Sequence, residues 1–230
     1  MPLPAREDGA ISVLRPAAVF DLDRTLVEGS SLAVLGRLLA REGKLSPVAV
    51  ATELARHPFF GRSGATDSQI DRFRARLLRL VAGMEHLELL DAVNRAANEV
   101  TARVFTGARW LIEQHLRAGD RVILVSASPQ DLVGGVAARL GAEAGLGTQV
   151  EIRDGRVTGR LDGTFCYGQG KLVNLGRLAG DFDLARATGY ADSWSDLPLL
   201  EAAGQAVAVN PDRRLDAVAR QRHWPVIHLS

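Results

Sequence analysis

Four short apolar runs punctuate the chain, each bounded by polar or turn residues. Ala17-Ala18-Val19-Phe20 leads into Asp21, Arg121-Val122-Ile123-Leu124-Val125 into Ser126, Ala187-Thr188-Gly189-Tyr190-Ala191 into Asp192, and Ala206-Val207-Ala208-Val209 into Asn210-Pro211. Continuous apolar runs of this length beside helical patterns are what buried strands of a parallel sheet look like. Between the first and second runs the pattern changes to a helical period. It predicts helices over Ser31–Glu42, Pro47–Arg56, Thr66–Val81 and Glu85–Arg103. In the third, Ile70, Phe73, Leu77, Leu80 and Val81 share one face while Arg72, Arg76 and Arg79 share another. So long a stretch is not a loop. It reads as an inserted helical domain, residues 28–105, over an α/β core of residues 1–27 and 106–230.

The expected fold is therefore α/β: a Rossmann-like, doubly wound, mainly parallel sheet with a helical cap. Residues 149–161 alternate apolar and polar around Asp154-Gly155, the sequence of a tight β-hairpin, expected at the sheet's edge. Composition narrows the class without naming a function. The 230 residues are 47% hydrophobic and 24% charged, enough for a sizeable core. Lys and Arg number 28 against 27 Asp and Glu, so net charge points to no nucleic acid and no membrane surface as partner. The N-terminal segment has no continuous apolar stretch, and no 18-residue apolar span follows, so a cytoplasmic location is expected. One cysteine, Cys166, suits a reducing compartment and excludes a disulfide scaffold. Five histidines, His57, His86, His115, His223 and His228, are too scattered for a metal pair on one helix turn. A homodimer is left open.

Chemistry enters where the runs end, because ligands of such sheets bind beyond the carboxyl ends of the strands. Asp21-Leu22-Asp23-Arg24-Thr25 puts two carboxylates on the same side of an extended backbone, where they repel unless a cation intervenes. Mg²⁺ is the natural one, a hard ion that takes one or two carboxylates and a phosphate oxygen. It would leave one Asp to attack phosphorus. A lone Asp-x-Asp equally punctuates a strand-to-turn junction. Ser126 precedes Ser128-Pro129, which read as N-cap and first residue of the helix carrying Leu132, Val133, Val136, Ala137 and Leu140; a phosphate could sit at that helix start. Gly168-Gln169-Gly170-Lys171 lacks the glycine spacing and the Ser or Thr of a P-loop, leaving Lys171 as a point charge for phosphate or an exposed helical lysine. Asp192 and Asp196, four apart in a Ser-rich turn, supply one cation ligand and one group to orient it, or merely cap a helix with Pro198 in its first turn. Position favours the functional reading: three strand ends carrying Asp-x-Asp, Ser and Asp converge on one crevice.

In the order Asp21-x-Asp23-x-Thr25, Ser126, Lys171, Asp192-x-x-x-Asp196, the chain resembles haloacid dehalogenase superfamily phosphatases of the phosphoserine phosphatase-like subfamily IB, whose helical cap of the C1 type follows the first motif. The resemblance implies that Asp21 becomes an aspartyl phosphate while Asp23 protonates the leaving oxygen and then activates water. It implies that Ser126 and Lys171 bind the phosphoryl group. Asp21, the backbone carbonyl of Asp23, and Asp192 would ligate Mg²⁺, with Asp196 adjoining. The substrate implied is a small phosphorylated metabolite. A phosphotransferase using the same chemistry is the alternative; a phospho-signalling receiver has no use for Asp23, the Asp192/Asp196 pair or the helical insertion. Departures bear on substrate. Arg24 stands where the family has Gly or Ser, and Ser30 where phosphoserine phosphatases have the glutamate for the amino group, Glu28 being two positions early. This argues against phosphoserine. Arg76 is the candidate for a substrate-carboxylate arginine, and Tyr167, just upstream of Lys171, for a pocket residue.

Overall fold

The computed structural model describes residues 15–56, 66–178 and 182–230. Six parallel strands form the main sheet in the order β3-β2-β1-β6-β7-β8: β1 (Ala17–Asp21), β2 (Arg121–Pro129), β3 (Ala144–Thr148), β6 (Ala187–Ala191), β7 (Gln205–Val209) and β8 (Val226–Ile227). Between β3 and β6 in the chain lie β4 (Val150–Arg153) and β5 (Arg156–Leu161), which pair antiparallel as a separate two-stranded sheet. All five residues of β1 are buried, as a central strand covered by helices on both faces requires. Alternate residues serve opposite layers. Ala18, Phe20, Val122 and Leu124 join one apolar cluster, and Ala17, Val19, Ile123 and Val125 the other.

Nine helices are described: α1 (Ser31–Arg41), α2 (Pro47–Ala55), α3 (Asp67–Val81), α4 (His86–Ala102), α5 (Thr106–Ala118), α6 (Gln130–Arg139), α7 (Gln169–Leu175), α8 (Leu197–Ala202) and α9 (Arg213–Gln221). The first four match the helical periods to within a residue or two. Their starts have local causes: the Ser30 side chain accepts from the Ala33 amide, and Pro47 occupies the first turn of α2. The chain leaves and re-enters this helical stretch side by side, Val27 bridging Val104, with Glu28 donating to the Arg103 carbonyl and Phe105 to that of Leu26. On α1 and α4, Leu35, Leu39, Leu89 and Val93 share one cluster with Leu132 and Val136 of α6. Among the described residues no helix is long and apolar enough to cross a membrane.

Three expectations need correction. The hairpin forms with Asp154 and Gly155 at φ 49° and 73°, the left-handed pair of a type I′ turn. It does not extend the main sheet's edge. Instead its backbone meets the α3–α4 connection, where Gly83 donates to the Val157 carbonyl, Val157 to that of Met84, and His86 to that of Gly155. Secondly, β2 continues to Pro129, and Pro129 rather than Ser128 holds the N-cap position of α6. Thirdly, β3 was not predicted. Its Ala-Gly-Leu-Gly-Thr has no apolar signature because glycine is needed for close approach: a Cβ at Gly145 would lie 2.6 Å from the Val133 carbonyl, and one at Gly147 2.7 Å from that of Ser128.

Candidate active site

The order of strands reverses at β1, which has β2 on one side and β6 on the other, so their carboxyl ends open one crevice. Asp21 closes β1, and the chain then curls tightly: Leu26 and Val27 both donate to the Leu22 carbonyl, and Arg24 donates to that of Val27. The curl takes Arg24 through φ 65°, a left-handed conformation easy for glycine and uncommon for other residues. It also folds Thr25 back inside, its hydroxyl 3.0 Å from Asp21 Oδ2 and 3.4 Å from Asp192 Oδ1.

Lys171 arrives from α7. Gly170 lets that helix seat, because a Cβ there would lie 1.9 Å from the Phe165 carbonyl. The buried Lys171 Nζ stands 2.6 Å from Asp21 Oδ1 and 2.6 Å from Asp196 Oδ1. Burial alone would depress its pKa; Asp196 and Asp21 outweigh that and hold it above the ordinary lysine value. Asp192 follows the last residue of β6 and meets Arg24 Nε at 2.9 Å. Burial, reinforced by Asp21, raises the Asp192 pKa well above the usual carboxylate value, with Arg24 opposing. Burial likewise pushes Asp196 up to about 6 against the pull of Lys171. Asp196 also holds the N-cap position of α8, with Pro198 in its first turn, but its carboxylate makes no capping hydrogen bond and is turned to Lys171.

Asp23 faces the helical insertion. The Ser31 amide, at the start of α1, donates to Asp23 Oδ1 at 2.8 Å, and the Ser30 hydroxyl lies 3.4 Å from Oδ2. Burial raises the Asp23 pKa to about 6, the Ser31 bonds and Arg24 opposing it and Asp21 adding to it. Ser31 also meets Ser128, Oγ to Oγ at 2.6 Å, tying the first insertion helix to the end of β2. Ser126 is buried, its hydroxyl accepting from the Ser128 amide at 3.2 Å.

Asp21, Asp23, Ser126, Lys171, Asp192 and Asp196 thus line a single pocket, and Ser30 and Tyr167 line it too. Two other candidates do not. Glu28 is exposed, and Arg76 is turned to Glu53 of α2, Nε to Oε2 at 2.6 Å. The sequence reading took Ser31 and Ser128 only as helix-start residues and missed their contact, since a serine touching another ninety-seven positions away leaves no local signal. The apolar wall formed by Leu32, Phe73, Leu77 and Phe165 was half legible, in the face of α3.

Four carboxylates share this pocket with two cationic side chains, Lys171 and Arg24. Asp21, Asp192 and Asp196 each present an oxygen within 4.8 Å of the others, a hard-donor set that could hold a metal ion. Burial is the main reason that Asp192 and Asp196 have raised pKa values, and the neighbouring Asp21 adds to it.

The chain belongs to the haloacid dehalogenase-like hydrolase family, whose model matches residues 18–201. Phosphoserine phosphatase SerB1 of Mycobacterium tuberculosis is 38% identical over 219 residues, covering 93% of this chain and 70% of the relative. The histidinol-phosphatase of Neisseria meningitidis is 31% identical over 224 residues, covering 94% and 99%. Among solved structures, a Bordetella pertussis protein of unknown function superposes with a TM-score of 0.80 at 30% identity, covering 94% and 99%. With its family and these relatives, the chain is an enzyme of the phosphatase kind.

Proposed function

We propose that this protein is a Mg²⁺-dependent phosphomonoester hydrolase working through an aspartyl-phosphate on Asp21, with residues 28–105 as its cap. The observation that carries the reading is the clustering of Asp21, Lys171, Asp192 and Asp196 at the strand ends with Asp23 across the pocket. Asp21, Asp192 and the Asp23 backbone would hold the ion. When bound, it supplies positive charge for the phosphoryl oxygens and for the nucleophilic carboxylate.

Lys171 and Thr25 hold the Asp21 carboxylate by both oxygens, which fixes its orientation before substrate arrives. An Asp21 oxygen bonds to phosphorus as the ester P–O bond breaks, and the leaving oxygen takes its proton from Asp23. Burial keeps that proton available near neutrality. Asp23, then a carboxylate, takes a proton from water as the water oxygen attacks phosphorus; inorganic phosphate leaves and Asp21 is regenerated. Ser126 and Lys171 donate to the phosphoryl oxygens, as charge spread over them requires. Because Asp23 is gripped by Ser30 and Ser31, the cap would sense and set the position of the acid.

Phosphate release from p-nitrophenyl phosphate with Mg²⁺ tests the reading. Asp21→Asn and chelation should each abolish turnover with the circular dichroism unchanged; full activity in either case refutes it. Release of p-nitrophenol that requires an added alcohol acceptor, with the phosphoryl group recovered on that alcohol and no inorganic phosphate formed, makes the enzyme a phosphotransferase instead.

A further inference from the structure

A second cavity, of about 300 Å³, lies between the insertion helices and the β4–β5 hairpin. It is continuous with the phosphate pocket, for Leu32, Phe73, Leu77, Ala127 and Phe165 line both. Its deeper wall is aliphatic, with Leu35 and Leu39 from α1, Val50 from α2, Val81 from α3, and Val150 and Ile152 from the hairpin. Most polar side chains at its surface are turned to partners within the protein, while His86, Asp131 and Asp162 also line it. Glu53 is held by Arg76 at 2.6 Å, and Arg74 by Asp71 at 3.0 Å while lying over the Phe165 ring. Gln130 bonds the Gly145 carbonyl and the Gly147 amide, and Thr148 the Ala127 carbonyl. Gln149 accepts from Arg177 at 3.0 Å.

A phosphate ester seated at Asp21 extends its alcohol portion toward whatever adjoins the pocket. Here a chiefly apolar chamber adjoins it, with Glu53 and Arg74 already paired, so a polar or zwitterionic alcohol would lose hydration over most of that wall without new partners. An apolar one would gain by leaving water. We propose that the substrate is a phosphate monoester of an apolar alcohol, its phosphate at Asp21 and its hydrocarbon body in this cavity. The inference rests on the hydrolase reading above and specifies the substrate class. The counterparts that an amino acid phosphate would need point the same way: Arg76 is committed to Glu53, and Glu28 faces solvent.

The test is a homologous series of n-alkyl phosphates from butyl to decyl, each below its aggregation concentration, alongside phosphoserine, glycerol 3-phosphate and p-nitrophenyl phosphate. Inorganic phosphate is measured with Mg²⁺ present. The expected result is a rise in kcat/KM of about fourfold per methylene, reaching a plateau when the cavity is full, with the longer alkyl esters well above phosphoserine. Ile152→Trp, which takes up space in the deeper wall, should bring the plateau at a shorter chain. A flat or falling series with p-nitrophenyl phosphate still hydrolysed overturns the inference and leaves the hydrolase reading standing. No phosphate from any ester, p-nitrophenyl phosphate included, overturns the hydrolase reading and the inference with it.

Discussion

Lys171→Met removes the buried cation that stands between Asp21 and Asp196 and leaves both carboxylates in place. At 2.6 Å and an effective dielectric constant of about 20, each contact is worth roughly 6 kcal/mol before solvation is counted. Desolvating the ammonium takes back several kcal/mol, and breaking such a pair from one side leaves a net loss of about 3–5 kcal/mol. For a chain of this size each kcal/mol moves Tm by about 2–4 °C, so the melting temperature in chelator-containing buffer at pH 8 should fall by roughly 6–20 °C. The pH dependence has a definite sign. Asp196 titrates near 6 in the folded protein, above its unfolded value, and loses part of its opposing cation in the variant, which raises it further. A carboxyl raised in this way contributes stability that is present below its unfolded pKa and is lost as pH rises through the folded one. The deficit should therefore shrink as pH falls from 8 toward 5. Titrating Mg²⁺ into the variant should restore part of the loss, since the ion would neutralise the same carboxylates. A Tm within about 2 °C of wild type at pH 8, or a deficit that grows on acidification, would refute the electrostatic account of this pocket.

Other outcomes follow from single contacts. Asp23→Ala should cost about 10²–10⁴ in kcat on an alkyl phosphate, whose leaving oxygen needs a proton, and far less on p-nitrophenyl phosphate; steady-state kinetics on the two esters would reveal an equal loss if Asp23 has no acid role. Gly170→Ala forces a Cβ onto the Phe165 carbonyl and should lower stability by about 1–3 kcal/mol while displacing Lys171, read by thermal unfolding and phosphatase activity together. Cys166 is fully buried, and burial pushes its thiol up to about 12, so N-ethylmaleimide at pH 8 should label the unfolded chain and spare the native one; rapid native labelling, seen by mass spectrometry, would contradict its packing.

Several features were legible because they are local. A buried parallel strand is a continuous apolar run, so β1, β2, β6 and β7 were visible with the residues that end them. A half-buried helix repeats every 3.6 residues, so α1 to α4 were visible within a residue or two. Asp154-Gly155 named its own turn, because few residue pairs accept two successive positive φ angles. From the strand ends alone it followed that Asp21, Asp23, Ser126 and Asp192 would face one crevice.

What the tertiary structure decided is which groups touch. The chain pattern of α3 offered Arg76 toward a substrate, yet Glu53 on α2 takes it, and no periodicity on one helix reveals the charge on its neighbour. The hairpin's register was readable but its docking on the α3–α4 connection was not, for backbone groups carry no sequence label. Strand β3 was hidden by the two glycines that let α6 and β2 come close. Lys171 read by itself as a charge for phosphate or an exposed helical lysine; its place between two carboxylates came only with the packing of α7. Side-chain type along one segment determines its own folding and its chemical capacity; electrostatics, burial and the shape of a cavity depend on distances between segments far apart in the chain, and only the packed molecule sets those.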